Sequence, residues 1–424
     1  MATSFCYNNT MKKSIEEQLR WLGLLLLTGI TAGVVASILT VLIHLIQAIS
    51  FGYHSGTFSS EIAKVAPIRR AISVIFAGII AAFGWQALTK YFKPFKTIKA
   101  IVQDNEKVYP TSSFCHGMLQ LVTVSMGSPL GREGASREVS VALTASWLQF
   151  FQLKNKEIRL LLACASGAAL GAVYNAPLAT TIFIMENVLL KWTKRHFLSA
   201  TITSFMAVWT VRLLSGNVIQ YKLSPLHWNS YLLLWAPLFG FLVAIIIFCY
   251  KYLLKISPKR NLTSPTYLYW VIGSFVFVAI LSIFFPHILG NGKAGLLYFI
   301  HANYDFSYAS GLLIAKAVAV FITFYAGAFG GRIAPSMMMG GGLGLLAAQA
   351  WNSYLPNISI SFAIIIGAAI FLAIINNIPV AAVFFLLEIT NQPLWNALPI
   401  AIAILSALFF QKIGASLLNM KTSS

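Results

Sequence analysis

The segment LLACASGAALGAVYNAPLATTIFIMEN, residues 161–187, has a counterpart in SFAIIIGAAIFLAIINNIPVAAVFFLLEIT, residues 361–390. Each copy reads Gly-Ala-Ala, then Asn-x-Pro, then an apolar run, then Glu. Asn175, Pro177 and Glu186 match Asn377, Pro379 and Glu388 at a constant offset of 202. Gly167 and Gly367 are offset by 200, so a two-residue indel lies between. A second pair precedes the first: GREGA at 131–135 and GRIAP at 331–335, again offset by 200, with Gly131 and Arg132 recurring as Gly331 and Arg332. Motifs and order are both repeated, so the chain reads as two related halves. The expected division is a cytoplasmic N-terminal segment at 1–20, a first membrane half at 21–215, a second at 216–412 and a short C-terminal segment at 413–424.

The 424 residues are 58% hydrophobic and only 10% charged, with a mean hydropathy of +0.77. So few polar groups cannot cover a water-soluble surface. Apolar runs recur at 21–50, 71–89, 197–211, 230–250, 267–285, 309–330, 358–374 and 394–410. A spanning helix needs about 20 such residues, which predicts an all-helical polytopic protein of an inner or plasma membrane. The first run is too long for a cleaved signal, and Lys12, Lys13 and Arg20 before it favour a cytoplasmic N-terminus. No water-soluble domain is visible. Cys6, Cys115, Cys164 and Cys249 form no metal-binding spacing and suit packing. No cofactor, metal or enzymatic nucleophile–base set is expected. The net charge of +19 would suggest nucleic acid in a soluble protein. Here the basic residues cluster at the ends of spans, as topology anchors and contacts for anionic lipid; an excess of cations also suits a protein that attracts anions.

The repeated pieces are glycine- and proline-interrupted rather than clean spans. Paired interrupted segments in two halves point to a transporter's midplane site. Broken helices leave N–H groups inside the membrane, and an anion is a natural partner for a helix N-terminus. Pro177, Pro379 and Pro335 suit first-turn positions. Of only eleven acids, Glu133, Glu138, Glu186 and Glu388 fall in or beside these segments, where an ionised carboxylate is costly. Glu186 and Glu388 read as structural acids, each satisfying donors inside its own repeat. Glu138 reads as structural, with Arg137 or Arg132 as partner. Glu133 sits on the glycine turn, and its counterpart is Ile333, so symmetry does not require it. It either pairs with Arg132 or occupies an anion site in place of the ion, leaving when protonated.

These motifs resemble those of the CLC family of chloride channels and chloride/proton exchangers. GREGA is similar to the family's Gly-Arg-Glu-Gly-Pro, GRIAP to its Gly-x-Phe-x-Pro, and NAPLATTIFIMEN to its Asn-Ala-Pro-Leu-Ala-Gly segment. The likeness runs from about residue 70 to 420. It implies an all-helical homodimer, with inverted halves in each subunit and helix N-termini converging on a chloride. It also implies that Glu133 is the gate, and that Gly131, Arg132, Gly134, Ala135, Gly331, Arg332, Ile333, Ala334 and Pro335 belong to the anion pathway, with the Ile333 N–H facing the ion.

Four departures matter. The family's Gly-Ser-Gly-Ile-Pro motif is missing, and its serine would fall near Phe92–Lys93. Lys93 there either holds an anion by charge or snorkels to the surface. Asn187 stands at the proton-route position that an exchanger fills with glutamate. Leu418 replaces the tyrosine of the last helix, and Ala135 replaces a proline. With two hydroxyls gone, weak chloride binding or altered anion selectivity is expected. A passive chloride pathway gated by Glu133 is favoured. The alternatives are a chloride/proton antiporter with an atypical proton route, a fluoride-selective relative, and a transport-dead scaffold. The expected partners are chloride or another small anion, protons, the lipid bilayer and a second copy of the chain, but no nucleic acid.

Overall fold

In a lipid surround each backbone N–H and C=O must find its partner within the chain, and a helix meets that demand locally. The computed structural model describes residues 2–255, 260–301 and 305–421, with side chains at 15–253, 260–301 and 305–414. Among the described residues the chain is helical apart from loops and one isolated β-bridge. Eight helices among these residues are long and apolar enough to cross a membrane: Ile15–Phe51, Pro67–Tyr91, Asn155–Tyr174, Lys194–Ser215, Ser230–Leu253, Pro265–Phe284, Phe306–Tyr325 and Leu394–Gly414.

This set differs in one place from the apolar runs of the sequence. The run at 358–374 becomes Ile360–Asn376, a helix of 17 residues. Asn155–Tyr174, which reads in sequence as part of a broken segment, is instead a continuous helix of 20 residues. The break falls after it, at Asn175. Its residues from Leu160 to Tyr174 are all buried. Their run of Ala, Gly and Ser lets neighbouring backbones approach closely. The expected boundaries at residues 20 and 412 both fall inside helices, Ala2–Phe51 and Ala397–Lys421. Good helix formers such as Glu16, Glu17 and Arg20 let the first helix continue past its apolar run.

The repeat visible in sequence extends to whole helices. Pro67–Tyr91 and Pro265–Phe284, Pro110–Ser125 and Phe306–Tyr325, and Glu133–Leu148 and Ile333–Asn352 occupy matching places in chain order. So do Asn155–Tyr174 and Ile360–Asn376, Pro177–Phe183 and Pro379–Ile389, and Lys194–Ser215 and Ala397–Lys421. Where the halves meet they run antiparallel. Arg70, near the start of Pro67–Tyr91, donates to the Ser282 and Ile283 carbonyls at the end of Pro265–Phe284. Gln86, near the other end, reaches the Ser264 carbonyl. Asn175 and Asn377 end their helices in the same left-handed conformation, at φ 57° and 55°. Asparagine tolerates that region better than other non-glycine residues, and Pro177 and Pro379 then open new helices two residues on.

Candidate functional site

The two glycine turns lie against each other. Gly131 N–H donates to the Gly331 carbonyl at 2.8 Å, and Gly331 N–H returns the bond to Gly131 at 2.7 Å. This antiparallel bridge joins the two copies of one motif. A Cβ on either glycine would run into the Glu133 carboxylate, so only glycine fits beside it. Lys316, fully buried, steadies the turn by donating to the carbonyls of Pro129, Ile288 and Gly290 at 2.8–2.9 Å.

Glu133 is the first residue of Glu133–Leu148 and is buried. Its Oε1 accepts the Tyr174 hydroxyl at 2.5 Å and the Ala334 N–H at 3.2 Å. Its Oε2 is buried with no hydrogen-bond partner. A carboxylate from the first half therefore sits at the N-terminus of a helix in the second, Ile333–Asn352. There the unpaired amides and the helix dipole favour negative charge. The oxygens of Glu133 occupy a position suited to a small anion. Arg132 and Glu133 form no ion pair. Arg132 is the N-cap and lies within electrostatic reach of His44 and Lys293, and Lys293 Nζ donates to Gln220 at 2.8 Å. Ile333 lies at the same helix start, but the amide that bonds Glu133 is that of Ala334, one residue on. Pro335 is in the first turn of that helix, and Ala135 in the first turn of the other, packed with Leu121 and Val139.

The symmetric acids do something the sequence does not predict. Glu186 accepts the N–H groups of Val380 and Ala381 at 3.1 and 2.9 Å. Glu388 accepts those of Leu178 and Ala179 at 3.0 and 2.8 Å. Each acid caps a helix of the opposite repeat, not its own. These two broken helices therefore present capped N-termini, and Glu133–Leu148 and Ile333–Asn352 are left as the pair whose starts meet at the bridge. An acid at the end of one short helix reaches the start of its mate because the two pack against each other.

A cavity of about 990 Å³ opens beside Glu133. Lys93, His116, Gly134, Asn187, Arg332 and Ile333 all line it. Lys93 is exposed on the non-helical 92–97 segment, with its ammonium over the Tyr109 ring at 5.3 Å. It stands at the cavity's rim and is not among the contacts of the Glu133 carboxylate. Asn187 is buried, and its side-chain amide donates to the Asn376 carbonyl at 2.8 Å. Arg332 stacks over Phe324 at 4.8 Å. Leu418 lies outside the residues whose side chains are described.

Three residues of this site are missed by the sequence reading. Tyr174 is one. It directly precedes Asn-Ala-Pro, and its hydroxyl enters the site from which sequence comparison removes two others. His116 is another. Its Nδ1 lies 2.7 Å from Glu138 Oε2, so Glu138 pairs with it rather than with Arg137 or Arg132. Arg137 instead donates to Ser166 and stacks over Phe183. Lys316 is the third, and it stands 200 residues after His116, the offset of the glycine turns. That shared offset is the signal that could have found both.

A relative described as voltage-gated ClC-type chloride channel ClcB, from Citrobacter koseri, is 27% identical over 359 residues, 80% of this chain and 83% of its own. The protein of the same description from Salmonella typhi is 25% identical over 387 residues, 86% of this chain and 90% of its own. Among solved structures, a slow cyanobacterial Cl−/H+ antiporter superposes with a TM-score of 0.77 at 19% identity, covering 93% of this chain and 94% of that one. A CLC-type fluoride/proton antiporter gives 0.72 at 20% identity, covering 93% and 96%. These likenesses carry the fold. Residues 72–412 match the family described as voltage gated chloride channel, and the chain belongs to that family.

Proposed function

We propose that this chain conducts chloride passively along the path that passes the Gly131–Gly331 bridge, and that the Glu133 carboxylate is its gate. One observation carries the reading: a carboxylate of one half is seated on the Ala334 N–H at the helix start of the other. Chloride and a carboxylate oxygen ask for the same thing there, amide donors and a positive helix end. Hydrogen bonds to a charged group contribute about 1.5–3 kcal/mol, and neutral ones about half that. Protonating Glu133 therefore weakens its hold by roughly tenfold per 1.4 kcal/mol lost, and an anion takes the seat. Asn187 supports a passive path, because it stands at the position an exchanger fills with glutamate and its amide cannot ionise. The family supplies the anion-transport class, and the relatives' description names chloride.

The cavity face is read as cytoplasmic. Asn187 in its wall leads along the chain to Arg195, which stacks on Trp21 at 4.5 Å and pairs with Glu157 at 3.0 Å. The start of the first span thus shares that end with Lys154, Lys191 and Lys194, as positive flanks on the cytoplasmic side would have it.

The test is flux from liposomes with chloride and pH recorded together. Glu133→Gln mimics the protonated gate, so flux should rise about tenfold at neutral pH and lose its rise on acidification. An unchanged pH profile removes Glu133 from the role. In the wild type a chloride gradient should drive no uphill proton movement; if it does, the chain is an exchanger.

A further inference from the structure

We infer that the wedge between the starts of Ile15–Phe51 and Lys194–Ser215 binds an anionic phospholipid, with its head group at a basic mouth and an acyl chain along an apolar floor. The wedge follows from where the two helices touch. They run parallel. Arg195 stacks on Trp21 at 4.5 Å. Further along, a Cβ on Gly29 would lie 2.7 Å from Met206 Cβ, and one on Gly33 2.6 Å from the Ala207 carbonyl oxygen. Glycine lets the backbones close up there. Before Gly29 the first helix carries Trp21, Leu22, Leu24 and Leu25 instead of small residues, and these hold the helices apart. A cavity of about 1050 Å³ occupies the gap, with the 152–154 turn as its third wall.

The cavity changes character along its length. Its deep end is apolar: Leu24 and Leu25 are buried, and Leu22, Leu198 and Ile202 continue the lining at helical spacing. Its mouth is lined by Arg20, Lys154 and Arg195, against Glu17 and Glu157. Glu157 is already engaged. One of its oxygens accepts Arg195 at 3.0 Å and the other the Lys154 N–H at 3.2 Å. The side chains of Arg20 and Lys154 pair with no acid among the described residues. Lys191 and Lys194 add exposed cations at the same end. Trp21 and Glu157 fix the Arg195 guanidinium at the mouth, and a planar fork of N–H groups suits a phosphate. Trp21 also stands where an indole belongs at a membrane surface, between apolar floor and charged rim. A free phosphate would meet the mouth and leave Leu22, Leu198 and Ile202 uncovered. A neutral lipid would cover them and leave the cations without a counter-charge. A phosphate tied to an acyl chain answers both ends. No residue of this cavity lines the one beside Glu133, so the site stands apart from the anion path.

The experiment uses the full chain in mild detergent, titrated with phosphatidylglycerol or with phosphatidylcholine of the same acyl chains. Native mass spectrometry counts bound lipid, and thermal unfolding reports its effect. Phosphatidylglycerol should bind about tenfold more tightly than phosphatidylcholine and raise the unfolding midpoint by a few degrees. A cation beside an anionic head group contributes about fivefold in affinity, so Arg20→Gln and Lys154→Gln should each weaken binding by about that factor. Lys90→Gln, at an exposed helix end outside this cavity, should leave it unchanged. Ile202→Trp fills the deep end with every cation in place and should also weaken binding about tenfold or more; if that protein does not fold, Leu198→Trp replaces it. Equal affinity for the two lipids overturns the site. So does an equal loss in Lys90→Gln, which would make the binding a general attraction to a chain of net charge +19. Glycerol 3-phosphate raising the midpoint as far as the lipid does, with the same dependence on Arg20 and Lys154, would make this a phosphate site and overturn the lipid.

Discussion

At the scale of single residues, the tyrosine hydroxyl on Glu133 is the contact with the clearest consequence. Tyr174 is buried, its ring packed edge-on against Phe385 at 4.9 Å, so the hydroxyl is held in place. It is one of two donors to Glu133 Oε1. Tyr174→Phe removes a hydrogen bond to a charged acceptor, worth about 1.5–3 kcal/mol. The seated carboxylate loses that amount, so flux at neutral pH should rise about tenfold. Flux equal to wild type in the Tyr174→Phe protein would make the hydroxyl a bystander. In the proposed gating, the same hydroxyl is freed when the carboxylate leaves and faces the incoming anion. The sequence accounts for hydroxyl ligands only at family positions and therefore expects weak chloride binding. Tyr174 supplies a hydroxyl from a helix end that those positions do not include.

At the scale of elements, the reciprocal caps tie the halves together. Glu186 and Glu388 each accept two backbone donors from the first turn of the other repeat's short helix. Those N–H groups would otherwise stand unpaired in an apolar interior. Glu388→Gln keeps one acceptor but loses the charge and one favourable geometry, a cost of about 1–3 kcal/mol. Thermal unfolding in detergent should therefore shift down by several degrees. Glu186→Gln should shift by a similar amount, since symmetry gives it the same duty. A drop in one variant and none in the other would mean that the caps do not act as a pair. The sequence shows both acids as symmetry mates. It does not show that they cross over, because offset arithmetic relates positions within each repeat and is silent on which copy a side chain reaches.

At the scale of the whole molecule, the outward faces of the long helices carry large apolar side chains such as Phe76, Trp209, Leu238 and Ile314. Lipid covers most of such a surface, and a second copy is proposed to cover part of it, as the family resemblance implies. Light scattering in mild detergent should give a protein mass of twice 46.5 kDa. A stable monomer with full flux would remove the dimer from the proposal.

By itself the sequence determined the class, the repeat and the place to look. Apolar runs of spanning length allow only closed backbone hydrogen bonding, and two copies of Gly-Arg and Asn-x-Pro at nearly one offset establish paired halves. Glu133 stands out because its counterpart is Ile333. Tertiary structure decided the partners. Gly131 meets Gly331, Ala334 meets Glu133, His116 meets Glu138, and Glu186 meets a helix nearly two hundred residues away. Those pairs join segments far apart in the chain, and their distances depend on how antiparallel halves pack. Periodicity and spacing describe one helix at a time, so they carry no record of which helix start a carboxylate will find.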